Sequence, residues 1–356
     1  MHNILSLDGG GTRGVFSIQI LARMEALLRQ KYGKPDLVLA DHFDFIGGTS
    51  TGAIIAALLS WGASVDVLEK FYLDQSQKVF GQKTWLNRFR FKFHAKELNY
   101  LLREYFSEDG SPALLGTPKL KTLYLCVMRN ASTGAPWIIS NSPHAKYNQT
   151  HLADNNLKIP LYQLIRASTA APVFFQPEEI TAGGQNWMFL DGAITPYNNP
   201  AFIMYLTATQ PCFGNNWKDG IQNMRIVSVG TGRKRVRFAK LHAAQINVGD
   251  QLAHALLALI DSNNQHQDLL CRAFGRCQWG EPIDTEVGDM IATELTEADH
   301  RHFLYTRYNH NLTAEEMKEA EPIPDFFSVD SLKGIPFWQK LGRSFAEQSV
   351  RVEHLG

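Results

Sequence analysis

The sequence is poor in cysteine and has no excess of charge of either sign. Its four cysteines among 356 residues form no CxxC pairs, so we expect no disulfide framework, no metal site and a reducing compartment. Thirty-five basic and 35 acidic residues cancel, which argues against a nucleic-acid partner. A charged ligand would therefore have to meet a local patch of the surface.

Long hydrophobic runs are also absent. The first residues lack a basic segment followed by an apolar run, so no secretory signal is predicted. The longest strongly apolar stretch, Ala53–Leu59, is far shorter than the roughly 20 residues that span a bilayer. The 27 glycines and 15 prolines are an average content, which excludes disordered and collagen-like classes. We expect an ordinary folded protein that resides in the cytoplasm.

What the sequence does have is an alternation of strand and helix patterns through its first two thirds, typical of βαβ units around a largely parallel sheet. The predicted strands are Asn3–Leu7, Phe43–Ile46, Lys119–Met128, Pro136–Ser140, Trp187–Leu190 and Arg225–Val229. The predicted helices are Val15–Lys31, Ala53–Trp61, Val65–Val79 and Leu161–Ala171. Beyond residue 232 we predict helices over Asn247–Ile260 and Gln265–Phe274 and a lone strand over Phe303–Arg307.

The first motif is the glycine-rich segment Asp8–Gly14, which reads DGGGTRG between a predicted strand and a predicted helix. Consecutive glycines at a helix N-terminus let backbone amides point into one concavity and bind an anion. The segment also satisfies GxGxxG, with Asp36 at about the distance of a ribose-binding acid, so a dinucleotide site and an oxyanion hole both remain open. It lacks the Lys-Ser/Thr pair of a P-loop, which is therefore excluded.

The second motif, Gly48–Gly52, reads GTSTG and lies between the next predicted strand and helix. This is the GxSxG pattern of a nucleophile elbow, in which Gly48 and Gly52 permit a tight turn that exposes Ser50. The alternative is a helix N-cap, because serine and threonine are good capping residues. The strand–turn–helix context favours a serine nucleophile at Ser50.

A serine hydroxyl needs a base within hydrogen-bonding distance. Asp191 follows the apolar segment Trp187–Leu190, at a strand end where active-site carboxylates of α/β sheets tend to lie. The alternative for an isolated Asp-Gly pair is an ordinary β-turn. The histidines late in the chain lie in no turn context typical of a catalytic loop. They are His254, His300 and His302.

Four segments, in this order and spacing, resemble the patatin-like phospholipases, and the match covers residues 1–232. They are Asp8–Gly14, Gly48–Gly52, Ala167–Pro177 and Asp191–Ala193. Ser228–Gly232 is also similar to that family's late strand-end segment. The resemblance implies an α/β fold of three layers, α/β/α, with a mainly parallel central sheet and a helical C-terminal extension. It also implies a phospholipase A-type carboxylic ester hydrolase that cleaves fatty-acyl esters of membrane glycerophospholipids.

The resemblance further implies roles for individual residues. Ser50 and Asp191 would form a catalytic dyad without histidine. The amides of Gly9, Gly10 and Gly11 would form the oxyanion hole, with Arg13 orienting their loop. Small residues of Ala167–Pro177 are interpreted as scaffold, and its Phe174 and Phe175 as lining of an acyl channel. No cofactor is implied.

The chain as a whole is similar to the cyclic-dinucleotide-activated phospholipases of bacterial anti-phage defence, the CapV-type effectors. This implies a catalytic core over residues 1–232, and a helical lid or regulatory segment over 233–356 packed on it. It also implies activation by a cyclic dinucleotide such as cyclic GMP-AMP, contact with the inner membrane when active, and a homo-oligomer. Tyr305, Arg307 and Tyr308 offer stacking and phosphate-binding chemistry for the nucleotide.

Alternatives remain at this stage. The segment Trp85–Phe93 alternates aromatic and basic residues, which is equally typical of an interfacial lipid contact and of a half-buried strand. The functional alternatives are an unregulated housekeeping lysophospholipase or esterase, a nucleotide-binding oxidoreductase, and a catalytically idle binding module that uses the glycine-rich turn.

Overall fold

The structure, a computed structural model, describes residues 1–81, 93, 95–152, 155–233, 248–291, 300–326 and 328–356, with the backbone alone for residues 95 and 248–256. The strands are β1 (His2–Leu7), β2 (Phe45–Thr49), β3 (Ser107–Glu108), β4 (Ser111–Pro112), β5 (Leu123–Asn130), β6 (Pro136–Ser140), β7 (Glu178–Ala182), β8 (Gln185–Asp191), β9 (Met224–Val229), β10 (Arg276–Trp279) and β11 (Leu304–Tyr308). The helices are α1 (Gly14–Tyr32), α2 (Thr51–Ser60), α3 (Val65–Phe80), α4 (Ala95–Tyr105), α5 (Leu161–Ser168), α6 (Ala201–Thr209), α7 (Val248–Phe274), α8 (Ala314–Ala320) and α9 (Ile335–Ser349).

Within these ranges, nine strands form one central sheet in the order β10-β11-β9-β1-β2-β5-β8-β7, with β6 also paired to β5. The pairs from β10 across to β5 are parallel, whereas β5–β6, β5–β8 and β7–β8 are antiparallel. β1 lies at the centre of the sheet, between β9 and β2. The glycine-rich segment follows β1 directly and therefore lies at the carboxyl edge of the parallel strands.

Alternating strand residues face two separate layers of helices. In β1, Leu5 packs into the cluster formed with α1, α2, α3 and α9, whereas its neighbour Ile4 packs into the cluster formed with α6 and α7. In β2, Ile46 and Phe45 divide in the same way. Because side chains on a strand alternate between faces, this pattern shows helices on both faces of the sheet. The expected three-layer α/β/α architecture is confirmed.

The part of the chain after residue 232 is not purely helical, because it supplies two strands of the central sheet. β11 pairs with β9 along its whole length, so the strand predicted at Phe303–Arg307 is an integral member of the sheet. β10 was not predicted, since its four residues, RCQW, contain no apolar run. The two helices predicted between 247 and 274 are one continuous helix, α7, and α9 packs against α1.

Most of the aromatic and basic segment Trp85–Phe93 lies outside the described residues, so both interpretations of it remain predictions. Its last residue, Phe93, is described and buried. The Phe93 ring stacks on that of Phe174, with 6.4 Å between centroids. Among the described helices, none is long and apolar enough to cross a bilayer.

Candidate active site

Ser50 occupies a tight turn between β2 and α2. Its φ of +55° lies in a region that residues with a side chain rarely adopt, so the turn holds backbone strain at Ser50. A Cβ on Gly48 would collide with the backbone of Gly52, and one on Gly52 would collide with the carbonyl of Leu7. Glycine is therefore required on both sides of Ser50, as the elbow pattern predicts.

Ser50 and Asp191 are 141 positions apart in the chain, and the fold brings their side chains into contact. The Ser50 hydroxyl donates a hydrogen bond of 2.7 Å to Oδ2 of Asp191. The other carboxylate oxygen, Oδ1, accepts a 2.7 Å hydrogen bond from the amide of Ala193, which fixes the orientation of the carboxylate. No described histidine lines the cleft that holds this pair.

Burial sets the proton affinity of Asp191, whose side chain is 2% exposed. Desolvation raises the pKa of this carboxyl group to about 6, against the opposing effects of hydrogen bonds from Ala193 and Ser50 and of the charge on Arg166. A carboxylate with this pKa is ionised at neutral pH and still basic enough to accept a proton from a hydroxyl group.

Two further side chains hold the elbow and the glycine-rich turn. Ser168 accepts a hydrogen bond from the Ser50 amide at 2.9 Å and donates one to the Val127 carbonyl at 2.6 Å. The Tyr72 hydroxyl donates to the carbonyl of Gly11. Ser168 belongs to a segment interpreted as scaffold, and its contacts agree with that interpretation. Tyr72 lies on α3, and no pattern in the sequence indicates its contact with Gly11.

The amides of the glycine-rich turn are not equivalent. The Gly9 amide donates to the carbonyl of Asn198 at 3.2 Å, whereas the amides of Gly10 and Gly11 have no acceptor among the described residues. All three glycines line the cleft with Ser50. An oxyanion hole in this turn would therefore rest on Gly10 and Gly11, with Gly9 as its support.

Arg13 closes the glycine-rich turn. Its Nε donates to the carbonyl of Gly10 and its Nη1 to the carbonyl of Gly232, each at 3.3 Å. The Arg13 side chain thus connects the turn to the segment after β9. This contact can orient the turn.

Much of the cleft that holds the dyad is lined by apolar side chains. Phe174 and Phe175 line it, as expected for this pair. Further apolar side chains come from α2, α3, α4 and α7, together with the segment before α9. They include Ile54, Val79, Leu98, Leu257, Ile260 and Val329. A chain of methylene groups could lie against this wall with its carbonyl group at Ser50.

Tyr305, Arg307 and Tyr308 do not lie on the surface, which corrects the interpretation of them as nucleotide contacts. All three belong to β11 and are at most 3% exposed. Tyr305 donates to Asp268, and the Tyr308 hydroxyl pairs with His354. Because the three side chains are buried and already paired, they do not form an exposed nucleotide site in this structure.

Asp36 does not lie where the acidic residue of a dinucleotide site would have to be. Asp36 is exposed in the connection between α1 and β2, nine residues before β2 begins. It therefore precedes the amino end of β2, whereas ligands of open α/β sheets bind beyond the carboxyl ends of the strands.

Of the late histidines, His300 and His302 are not among the residues that line the cleft with Ser50. His302 pairs with Asp219 at 2.6 Å, and His300 is exposed. The side chain of His254 lies outside the described residues.

A GxSxG turn at the carboxyl end of a strand in a mainly parallel sheet is the arrangement of α/β serine hydrolases. The sequence profile of the patatin-like phospholipases matches residues 5–205, more than half of the chain. The chain therefore belongs to the patatin-like phospholipase family, which confirms the resemblance seen in its motifs.

Relatives differ in how much of their length the chain covers. A Vibrio cholerae protein described as a cGAMP-activated phospholipase is 27% identical over 352 residues, which are 93% of this chain and 95% of the relative. Patatin-T5 of Solanum tuberosum is 28% identical over 263 residues, which are 69% of this chain and 64% of the plant protein. The chain thus spans slightly less than two thirds of the plant patatin. VipD from Legionella pneumophila aligns in structure with a TM-score of 0.36 and 13% identity, over 97% of this chain and 67% of VipD.

Proposed function

We propose that the protein is a lipid acyl hydrolase that uses Ser50 as nucleophile and Asp191 as base. The observation that carries the proposal is the 2.7 Å hydrogen bond from the Ser50 hydroxyl to Asp191 in a cleft lined largely by apolar side chains. The Ser50 oxygen attacks the ester carbonyl carbon while its proton passes to Asp191. Asp191 then returns this proton to the departing alcohol, and water hydrolyses the acyl-enzyme.

The glycine-rich turn would stabilise the tetrahedral intermediate. Its negative oxygen would be held by the free amides of Gly10 and Gly11, while Gly9 and Arg13 keep the turn in place. Amide donors fixed where charge develops are commonly the largest single catalytic contribution. No step requires a metal or another cofactor.

The apolar wall of the cleft supports a fatty-acyl ester as substrate, and the family supports a phospholipid. We propose membrane glycerophospholipids, with the acyl chain against Phe174 and Phe175 and the head group outside the cleft. The enzyme would then be cytoplasmic and would bind the inner membrane from its surface while active.

Substitution of the dyad tests the catalytic proposal. Ser50→Ala and Asp191→Ala should each abolish hydrolysis of a fluorogenic phospholipid, and their effects should not add in the double variant. Ser60→Ala, at the other end of α2, is a matched control that should retain activity and labelling by a fluorophosphonate. Substantial turnover by Ser50→Ala would contradict the proposal.

We further propose that a cyclic dinucleotide such as cyclic GMP-AMP activates the enzyme in anti-phage defence. The support is the Vibrio cholerae relative, which is described as cGAMP-activated and aligns over 95% of its length. Leu257, Ile260 and Val329, all from the part after residue 232, border the cleft. Residues 233–356 could therefore act as a lid or regulatory segment on a catalytic core formed by 1–232.

Activation is tested with purified protein and phospholipid vesicles. Hydrolysis should rise on addition of one of cyclic GMP-AMP, cyclic UMP-AMP and cyclic di-GMP, and chromatography with each nucleotide would show whether a homo-oligomer forms. Full activity without nucleotide, unchanged by all three, would favour the alternative of a housekeeping lysophospholipase or esterase.

A further inference from the structure

A buried ion pair joins the glycine-rich turn to the C-terminal part of the sheet. Nη1 and Nη2 of Arg307 donate to Oδ1 and Oδ2 of Asp8 at 2.8 and 2.6 Å. Arg307 lies on β11, and Asp8 is the first residue of the turn, 299 positions earlier in the chain. The side chains are 3% and 2% exposed, so the pair is shielded from water.

Arg307 spans the carboxyl ends of three adjacent strands. Its Nη1 also donates to the hydroxyl of Ser228 on β9 at 2.8 Å, and Ser228 is the register partner of both Arg307 and Ser6. The guanidinium group therefore links β11, β9 and the residue after β1. A planar group with two parallel donors is needed for this geometry, and lysine cannot reproduce it.

The glycine-rich turn is also held at its other end by the C-terminal part of the chain. The amide of Thr12 donates to the carbonyl of Val329 at 2.8 Å. Gly11 has a φ of +58°, and a Cβ there would collide with the same carbonyl. The two amides left free, those of Gly10 and Gly11, thus lie between two anchors, Asp8–Arg307 and Thr12–Val329.

We infer that Arg307 is a positioning residue for the oxyanion hole, acting through Asp8. Arg307 is not among the residues that line the cleft with Ser50. Its role is to fix the start of the turn so that the amides of Gly10 and Gly11 stay aligned with the developing oxyanion. This inference rests on the proposed function, because the turn needs this alignment only if its amides stabilise the intermediate.

Arg307→Lys is the principal test, since it keeps the positive charge and removes the paired donors. We expect kcat for a soluble short-chain ester to fall about 10- to 100-fold with KM within about twofold, because misalignment by a fraction of an ångström weakens the transition state more than ester binding. The pH at which kcat/KM is half-maximal should not move, since Asp191 is not touched.

The matched control is Arg272→Lys. Arg272 is equally buried and forms a paired contact with Asp268 at 2.9 Å for each bond, but it makes no contact with the turn. Both lysine variants should lose thermal stability, and only Arg307→Lys should lose kcat per folded molecule. Equal kcat losses in the two variants would assign Arg307 a structural role only and overturn the inference.

Asp8→Asn provides a second test if Arg307→Lys does not fold. It keeps the size of the side chain and one acceptor oxygen, and it should lower kcat in the same way. If Arg307 acts through Asp8, the double variant should lose no more kcat than the worse single variant. Additive losses, or a wild-type kcat in Asp8→Asn, would contradict the inference.

The failure of the inference and that of the proposed function are separable. If Ser50→Ala retains activity, the proposed function fails. If activity depends on Ser50 but Arg307→Lys has the kcat of the wild type, only the positioning role of Arg307 fails.

Discussion

At the scale of single residues, the protonation of Asp191 connects burial with chemistry. The carboxyl group is shielded from water, and this raises its pKa to about 6 from the ordinary value of 3.8. The shift has two separate consequences. The base must lose its proton before it can act, and the folded protein must keep a buried negative charge at neutral pH.

The first consequence is a pH dependence of activity. We expect kcat/KM to be half-maximal near pH 6 and to fall about tenfold for each pH unit below that, because only ionised Asp191 accepts the serine proton. The profile should be measured with a soluble ester between pH 4.5 and about 8. His302→Ala should leave it unchanged, since His302 pairs with Asp219 away from the cleft. A midpoint that moved in His302→Ala would point to a histidine base.

The second consequence concerns stability. Because the folded-state pKa of Asp191 is raised, ionisation destabilises the fold as the pH rises from about 4 to above 6. Asp191→Asn removes that charge, and an amide oxygen can still accept from Ala193. We expect the variant to gain about 1–3 kcal/mol of unfolding free energy at pH 8 and little at pH 4, while it loses activity. Urea unfolding at both pH values measures this, and a less stable variant at pH 8 would contradict it.

The residues of the site fall into two groups: those that lie in a local sequence motif, and those whose contacts are with residues far away in the sequence. Ser50, Asp191 and the glycines sit in short motifs, because each needs a local turn, and their place in one cleft could be predicted from the sequence. The contacts of Tyr72 and Arg307 could not. Their contacts depend on a tyrosine 61 positions from Gly11 and an arginine 299 positions from Asp8, and no local pattern marks either.

At the scale of secondary-structure elements, long periodic segments were predicted well and short polar ones were not. The helix predicted over Val15–Lys31 is α1, extended by one residue at each end. β10 was missed because its stability comes from pairing with β11 and not from its own sequence. The two helices predicted at residues 247–274 are one helix. Polar residues between them do not interrupt the backbone, and Asn263 and Asn264 form hydrogen bonds with Thr195 and Asn198.

Helix α9 shows how strongly the C-terminal elements are bound to the rest. Its Trp338 is 1% exposed, stacks on Phe326 at 5.0 Å and meets the edge of Phe16 on α1. We expect Trp338→Ala to lower the free energy of unfolding by about 3–5 kcal/mol through loss of buried area and the cavity it leaves.

Trp338→Phe is the matched comparison for that substitution. The indole N–H of Trp338 has no acceptor among the described residues, so phenylalanine removes an unpaired donor together with part of the ring. Its cost should therefore be clearly smaller, about 1 kcal/mol. Urea unfolding of both variants decides the matter, and equal losses would show that the indole N–H is satisfied.

At the scale of the whole molecule, the proposed regulation would involve the same segment that completes the fold. To raise an active fraction from about 1% to 99%, a nucleotide must bind the active state more tightly by roughly 5.5 kcal/mol. The part after residue 232 lines the cleft and, through Arg307 and Val329, contacts the glycine-rich turn. A ligand bound to this part could thus change access to Ser50 and the alignment of Gly10 and Gly11 together.

The same contacts predict what happens when residues 233–356 are removed. Without β11, strand β9 becomes an exposed edge, Asp8 loses the arginine that pairs with it, and α1 loses its packing against α9. We expect the fragment 1–232 to be insoluble or to lack a cooperative unfolding transition by circular dichroism, and coexpression with 233–356 to restore labelling of Ser50 by a fluorophosphonate. The full chain is the control. A soluble fragment that unfolds cooperatively and is labelled at Ser50 would instead establish residues 1–232 as an independent catalytic core and the remainder as a separable regulatory segment.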